Sequence, residues 1–363
     1  MKIHAEITGW GKCLPPAVMT NEDLATFLDT SDEWIRTRTG IEERRVSHLG
    51  TSHLATVAAR NALAAADLDP NDLDLILVGT CTADEIIPNV ASAVQRDLGA
   101  KYAAAFDLNA ACSSFLYGLH YATQSIRTGA HKKVLVIGAE RLTRILDWTR
   151  RESAVLFGDG AGAMVLEAST EETGLLASHV TCDADARDVL ALEFGMSFDR
   201  FDFDGIMPFN FVGQEIFKRA VKGMNIAIDK VFAETGLTTD DIDSLIPHQA
   251  NKRLIDYLAK RCNVPESKTV INIQKYGNTS SATLPIAYTE ALEQGIIKPG
   301  DTIVSAVFGG GLTCGAGIIK WGQRVRPKQN NQMQLPGTDK SALDLILPMH
   351  LATKKAWEAR GNE

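Results

Sequence analysis

Cys112 lies in the stretch Ala110-Ala111-Cys112-Ser113-Ser114, where small residues crowd a sulfur between two patterned segments. Ala103 to Leu108 has no helical period and reads as a buried strand. After the cysteine, Phe115, Leu119, Ala122 and Ile126 follow the three-and-four spacing of a packed helix face. The cysteine is therefore expected at a sharp strand-to-helix turn, where free backbone N–H groups and the positive end of the helix dipole favour a nucleophilic thiolate. Three other stretches supply complementary chemistry: the imidazole of His248 after Leu245-Ile246-Pro247, the carboxamide of Asn278 after Tyr276-Gly277, and the glycine run Gly309-Gly310-Gly311. Together they amount to a nucleophile, a proton-handling group, an amide donor and a backbone open enough for its N–H groups to bind an oxyanion. Taken singly, each has an ordinary explanation: a small buried thiol, a satisfied core histidine, a turn asparagine, a tight turn.

The elements that must position these groups occur twice. Asp67-Leu68-Asp69-Pro70-Asn71-Asp72-Leu73-Asp74 leads into the apolar run Leu75–Val78, and Gly236-Leu237-Thr238-Thr239-Asp240-Asp241-Ile242-Asp243 leads into Ser244–Pro247. Phe106-Asp107-Leu108 before Cys112 answers Ile271-Asn272-Ile273 before Asn278. Cys112 to Gly129 and Asn278 to Gly295 both span 17 positions, and each helix hands over to a strand. A third echo pairs Phe157-Gly158-Asp159-Gly160 with Phe308-Gly309-Gly310-Gly311, each ahead of an apolar run. Three ordered matches imply two copies of one strand–helix unit, each with a mixed, largely parallel sheet. A pseudo-two-fold axis then sets Cys112 and Asn278 at matching turns, with His248 beside them at the strand ends where open sheets place ligands.

The reading divides the chain into halves 1–172 and 173–321 and an extension 322–363. The copies differ in inserts: Arg141 to Ser153 separates two strands that nearly abut in the second copy, and Asp183 to Phe211 is irregular and suited to cap a pocket. Gln323 to Lys340 reads as a polar linker and Ser341 to Arg360 as a short helix interrupted at Pro348. A formal net charge of -8 argues against non-specific nucleic-acid binding. Six cysteines without a C-x-x-C pair suggest neither a disulfide framework nor a zinc site, so a reducing cytoplasm is expected. No basic-then-apolar leader and no membrane-length apolar run is present. The segment around Trp34, with Arg36, Arg38, Arg44 and Arg45, reads from composition alone as a solvated basic surface.

Asp107–Ser114, Pro247-His248-Gln249-Ala250-Asn251, Tyr276–Ser280 and Phe308–Thr313 resemble, in order, the motifs of β-ketoacyl-acyl-carrier-protein synthase III, of the thiolase-like superfamily. The resemblance covers about residues 1–321. It implies an α/β fold, a duplicated five-layer α-β-α-β-α arrangement with two mixed sheets, as a homodimer. It also implies initiation of fatty-acid synthesis, by condensing an acyl-CoA primer with malonyl-acyl-carrier protein through an acyl-Cys112 intermediate. By resemblance the Cys112, His248 and Asn278 set is that of synthase III and the plant-type polyketide synthases; elongating synthases use a second histidine and hydroxymethylglutaryl-CoA synthases a glutamate. The resemblance further places the oxyanion hole at the N–H groups of Cys112 and Gly310. It puts Trp34 and Arg151 at the adenine of CoA, Arg38 near its phosphate, and Gln214 near the pantetheine arm, where asparagine is usual. Lys218 and Arg253 match positions linked to carrier-protein docking. Ile87 falls where a dimer partner closes the acyl pocket, and an aliphatic there in place of an aromatic suits a primer longer or more branched than acetyl. Neither metal nor cofactor is expected, acyl-CoA being a substrate. The alternative within this fold is an acyltransferase or specialised synthase that passes the acyl group to another nucleophile.

Overall fold

Strand residues alternate between two cores, and that alternation builds the layers. The computed structural model describes residues 2–192 and 209–361. Its main strands are β1 (His4–Cys13), β2 (Leu75–Gly79), β3 (Ala104–Leu108), β4 (Lys133–Glu140), β5 (Gly160–Ser169), β6 (Gly174–Cys182), β7 (Ser244–Leu245), β8 (Thr302–Gly309) and β9 (Thr313–Lys320). The helices that matter here are α1 (Asp32–Thr39), α2 (Thr51–Ala66), α3 (Val90–Leu98), α4 (Ser114–Arg127), α5 (Gly213–Thr235), α6 (Lys252–Arg261), α7 (Thr283–Glu293) and α8 (Ala342–Ala359). Leu75, Leu77, Val134, Val136, Met164 and Leu166 join Phe115, Leu119, Leu284 and Tyr288 of α4 and α7 in a central core. Their neighbours Ile76, Val78, Leu135, Ile137 and Val165 join α2 and α3 on the opposite face. In the second half Ile303 and Val307 face the centre, while Val304 and Ala306 pack on α5 and α6. A strand whose residues are apolar on both faces must be covered on both, so helices lie outside each sheet and α4 and α7 lie between them. Each fully buried aliphatic side chain contributes about 1.5–3 kcal/mol to that arrangement.

Both copies have the same strand logic. The order is β7-β8-β9-β6-β1-β5-β4-β2-β3, the two sheets being joined by one parallel bridge between Ala5 and Gly174. In the first copy β1–β5 and β5–β4 are antiparallel, and β4–β2 and β2–β3 parallel. In the second, β6–β9 and β9–β8 are antiparallel and β8–β7 is parallel. The first sheet is thus evenly mixed and the second mainly antiparallel, rather than largely parallel. The reason is local: only Gly310–Leu312 separates β8 from β9, too short for a crossover. The two aspartate motifs take equivalent places. Asp74 Oδ2 accepts the N–H groups of Lys132 and Lys133 at 2.6 and 2.9 Å, and Asp243 Oδ2 accepts that of Thr302 at 2.9 Å.

Three expectations change. β3 is the outermost strand and its Phe106 is 46% exposed, so the segment is an edge and not a buried strand. The polar stretch after Trp321 is no free linker. Lys328 and Gln329 donate their N–H groups to the carbonyls of Ala65 and Ala64, and Met333 N–H bonds to Asn61 Oδ1. Finally, α8 runs unbroken through Pro348. Proline costs one backbone bond and steric strain. Burial of Ala342 and Ile346 beside Leu24, Leu28 and Trp148 offsets it.

Candidate active site

Cys112 sits two residues before α4, at the end of β3, with Ala111 in the left-handed region at φ 49°. Asn278 occupies the matching turn before α7, after Gly277 at φ 62°. His248 follows β7, its N–H bonded to the Ala306 carbonyl of β8 at 2.9 Å. One turn, Ser280 to Thr283, touches all three groups. The Ser280 hydroxyl is near enough to the Cys112 sulfur to favour its thiolate. Ser280 N–H donates to Asn278 Oδ1 at 2.8 Å, and Thr283 Oγ1 lies 2.6 Å from His248 Nδ1. The turn comes this close to β4 because Gly138 has no side chain: a Cβ there would lie 2.3 Å from the Ser281 carbonyl oxygen.

These contacts fix chemical roles. With Oδ1 occupied, the Asn278 amide presents Nδ2–H as a donor. The Thr283 hydroxyl has two acceptors in reach, His248 Nδ1 at 2.6 Å and the Ser280 carbonyl at 2.9 Å. When the hydroxyl donates to Nδ1, the imidazole proton sits on Nε2, which is buried without a protein partner among the described residues. The ring packs edge-on against Phe308, centroids 5.5 Å apart, which leads into the glycine run. A Cβ on Gly309 would lie 2.6 Å from Cys112 N, so the run crosses directly over the nucleophile's amide, with Gly310 next in line. Leu190, from the described part of the Asp183–Phe211 insert, covers the same turn: its carbonyl oxygen would be 3.1 Å from a Cβ on Gly310. The rest of the expected cap, 193–208, lies outside the described residues.

Electrostatically the site differs from the expectation of an acidified thiol. Burial pushes the Cys112 thiol up to about 12 despite the Ser280 hydroxyl, because desolvation of the thiolate outweighs the helix start. Burial pulls His248 down to about 3, so the imidazole is neutral at working pH. Sequence patterning had no way to flag Ser280 and Thr283, whose role is set by the turn they form, nor Glu140 at the end of β4. Its carboxylate is fully buried and accepts Thr82 Oγ1 at 2.6 Å, Thr80 Oγ1 at 3.2 Å, Ser280 Oγ at 3.1 Å and Cys81 N–H at 3.2 Å. A charge closing the apolar run Val134–Ala139 is the one signal that points to it.

The remaining expected residues lie toward the surface. The Trp34 ring on α1 is flanked by the guanidinium groups of Arg38, at 4.5 Å, and Arg151, at 5.0 Å. Arg253 at the start of α6 bonds the Thr37 carbonyl at 3.3 Å, tying α6 to α1. Gln214 and Lys218 are exposed and one turn apart on α5. Ile87 is 86% exposed, and Ile86, Tyr102 and Phe106 are exposed as well.

Two family models match: 3-oxoacyl-[acyl-carrier-protein] synthase III over residues 106–184, and its C-terminal counterpart over 232–321. A Vibrio cholerae protein named β-ketoacyl-[acyl-carrier-protein] synthase III 2 is 57% identical over 345 residues, covering 94% of this chain and 95% of that one. The chain belongs to the 3-oxoacyl-[acyl-carrier-protein] synthase III family. A synthase III of Alkalilimnicola ehrlichii is 46% identical over 88% of this chain and 99% of its own length. The greater reach of the Vibrio match takes in part of the 322–363 extension. Among solved structures, the synthase III of Aquifex aeolicus superposes with a TM-score of 0.82 at 43% identity, over 87% of this chain and all of that one. The priming β-ketosynthase of the R1128 polyketide pathway superposes at 0.83 and 31% identity, over 89% and 97%. The five-layer duplicated fold and the acyltransferase-type condensing activity of synthase III are therefore those of this chain.

Proposed function

We propose that Cys112, His248 and Asn278 carry out decarboxylative condensation of an acyl-CoA primer with malonyl-acyl-carrier protein. The observation that carries this reading is the Ser280–Thr283 turn, which bonds Asn278 Oδ1 and His248 Nδ1 and so leaves Asn278 Nδ2–H and His248 Nε2 for the substrate. In the first half-reaction the Cys112 sulfur attacks the primer carbonyl, the bond from carbonyl carbon to CoA sulfur breaks, and the thiol proton leaves with CoA. With the thiol protonated at neutrality, deprotonation is coupled to attack. Backbone N–H groups at Cys112 and Gly310 hold the oxyanion. In the second, malonyl-acyl-carrier protein loses CO₂, and the charge gathering on its thioester oxygen is met by His248 Nε2–H and Asn278 Nδ2–H. The carbanion attacks the acyl-Cys112 carbonyl and expels the Cys112 thiolate, which takes one proton from solvent. The products are 3-oxoacyl-acyl-carrier protein, CO₂ and CoA. Two neutral donors suit this step because they stabilise the developing enolate without a proton having to move.

Trp34 and Arg151 offer an indole face and a planar cation to the adenine, with Arg38 positioned for a phosphate. Gln214 lies on the route of the pantetheine arm, and Lys218 and Arg253 offer exposed positive charge to an acidic carrier protein. The unpaired edge of β3, with Phe106, Tyr102, Ile86 and Ile87 exposed, suits a second copy of the chain. In that dimer Ile87 closes the partner's acyl pocket and admits a primer longer or more branched than acetyl. The test combines mass spectrometry of Cys112 with product analysis. Acyl-CoA alone gives an acyl adduct on Cys112, and adding malonyl-acyl-carrier protein discharges it with release of CO₂ and a 3-oxoacyl product. An adduct that forms but is discharged without CO₂ refutes condensation and favours transfer to another nucleophile.

A further inference from the structure

Two stretches meet in the fold: the Arg141–Ser153 insert of the first half, of which only Arg151 has a role so far, and the C-terminal helix α8. The helix is firmly seated. Its start is capped by Ser341, whose Oγ accepts Asp344 N–H at 3.1 Å while Asp344 Oδ2 accepts Ser341 N–H at 2.8 Å. Ala342 and Ile346 are buried with Leu142, Leu146 and Trp148 of the insert and with Leu24 and Leu28. Further along, His350 Nδ1 bonds the Trp148 carbonyl at 2.9 Å and its ring lies 5.0 Å from that of Phe27.

The last turns of α8 reach the residues that lead directly into Arg151. Trp357 Nε1–H donates to Asp147 Oδ2 at 3.0 Å. Asp147 is 5% exposed, and its other oxygen accepts the N–H and hydroxyl of Thr149 at 2.9 and 2.5 Å. Arg150 Nε lies 3.5 Å from Asp147 Oδ2, and its guanidinium sits over the Trp357 ring at 5.2 Å. The next residue, Arg151, turns the other way: it donates to the Asp29 carbonyl at 2.5 Å and faces Trp34. Residues 147–150 are thus pinned from behind by a helix that comes from the far end of the chain.

We propose that α8 is a positioning element for the nucleotide end of the acyl-CoA site: Trp357, acting through Asp147 and Arg150, holds the segment that presents Arg151 to Trp34. This rests on the assignment of Trp34 and Arg151 to the CoA nucleotide given above. A flexible Arg151 must be ordered each time the nucleotide binds, whereas a braced one has that entropy removed in advance.

The test compares an acyl-CoA donor with the matching acyl-pantetheine, which carries the same reacting thioester and no nucleotide. The ratio of kcat/KM for the two donors is measured in wild type, Trp357→Ala, Trp357→Phe and Arg151→Ala. Trp357→Ala is expected to lower the ratio about tenfold, the size of one ordered contact to a charged ligand, through KM for acyl-CoA. Trp357→Phe keeps a ring for Arg150 and loses the N–H to Asp147, so a smaller fall is expected; it also decides the matter if the alanine variant does not fold. A fall in Arg151→Ala with none in either Trp357 variant overturns the role of α8 and leaves the nucleotide assignment standing. An unchanged ratio in Arg151→Ala overturns the assignment and this inference with it. Equal loss with both donors in a Trp357 variant also overturns it, since a general effect on the fold does not distinguish them.

Discussion

Glu140→Gln should make Cys112 more reactive toward an alkylating agent, the reverse of what damage to an active site ordinarily does. The Glu140 carboxylate is completely buried among donors, and burial raises its pKa while the Thr82 hydroxyl and the Cys81 N–H oppose that rise. The Ser280 hydroxyl stands between it and the Cys112 sulfur. Two hydrogen-bond lengths put charge and sulfur about 6 Å apart. At an effective dielectric constant of about 20, two unit charges at that separation interact by about 3 kcal/mol. Removing the carboxylate charge therefore favours the thiolate by roughly a hundredfold. A thiolate of lower pKa is intrinsically less nucleophilic, by about half of that gain on a logarithmic scale, so the net acceleration is about tenfold. The assay is the rate of iodoacetamide alkylation of Cys112, followed by mass spectrometry from pH 6 to pH 10. The expected result is faster labelling at pH 8 and a profile displaced to lower pH. An unchanged or slower rate in a folded Glu140→Gln variant refutes the reasoning. The substitution also replaces one acceptor oxygen with an amide N–H that faces donors, so a stability loss of about 1–3 kcal/mol is expected alongside.

Asn278→Ala should still form acyl-Cys112 yet lose about 10²–10³-fold in release of CO₂ from malonyl-acyl-carrier protein, because only the second half-reaction needs its amide. Equal loss in both halves, resolved by single-turnover mass spectrometry and CO₂ capture, contradicts that division. Thr283→Val removes the hydroxyl that directs the His248 proton to Nε2, and it should depress decarboxylation while Thr283→Ser retains it. Equal activity of the Val and Ser variants would show that the hydroxyl does not set the tautomer. Acid should destabilise the fold through His248. Its imidazole is held neutral down to about pH 3, whereas an unfolded histidine takes its proton near pH 6.5, so between those limits the unfolded state binds more protons and stability falls as pH falls. The loss is roughly 3 kcal/mol by pH 4, and His248→Gln should lose less Tm than wild type between pH 7 and pH 4. Asp159, raised by burial to about 6, acts in the opposite sense, but it is present in both proteins and drops out of their comparison. Parallel Tm profiles for the two proteins would contradict the burial argument.

The sequence by itself determined the duplication and, through it, which three candidate groups come together in the site. Strand alternation and helix spacing are imposed by local geometry, so Leu75–Val78 and Phe115–Ile126 declared their elements, and two copies of one pattern placed Cys112 and Asn278 at equivalent turns. What it left open depends on neighbours remote in the chain. The direction of half the strands followed from connection lengths. The exposure of β3 depended on which strand stands last in the sheet. The unbroken α8 depended on partners more than 200 residues away, Trp148 and Asp147 among them. The site shows the same division most sharply. A helix start suggested an acidic thiol, and only the folded protein shows that the sulfur is buried beside a hydroxyl backed by a carboxylate, where desolvation exceeds what the dipole supplies. Residue types and their spacing along the chain are local facts, whereas dielectric environment and hydrogen-bond partners are properties of the packed interior, and it is those that set the environment of His248 and Asn278.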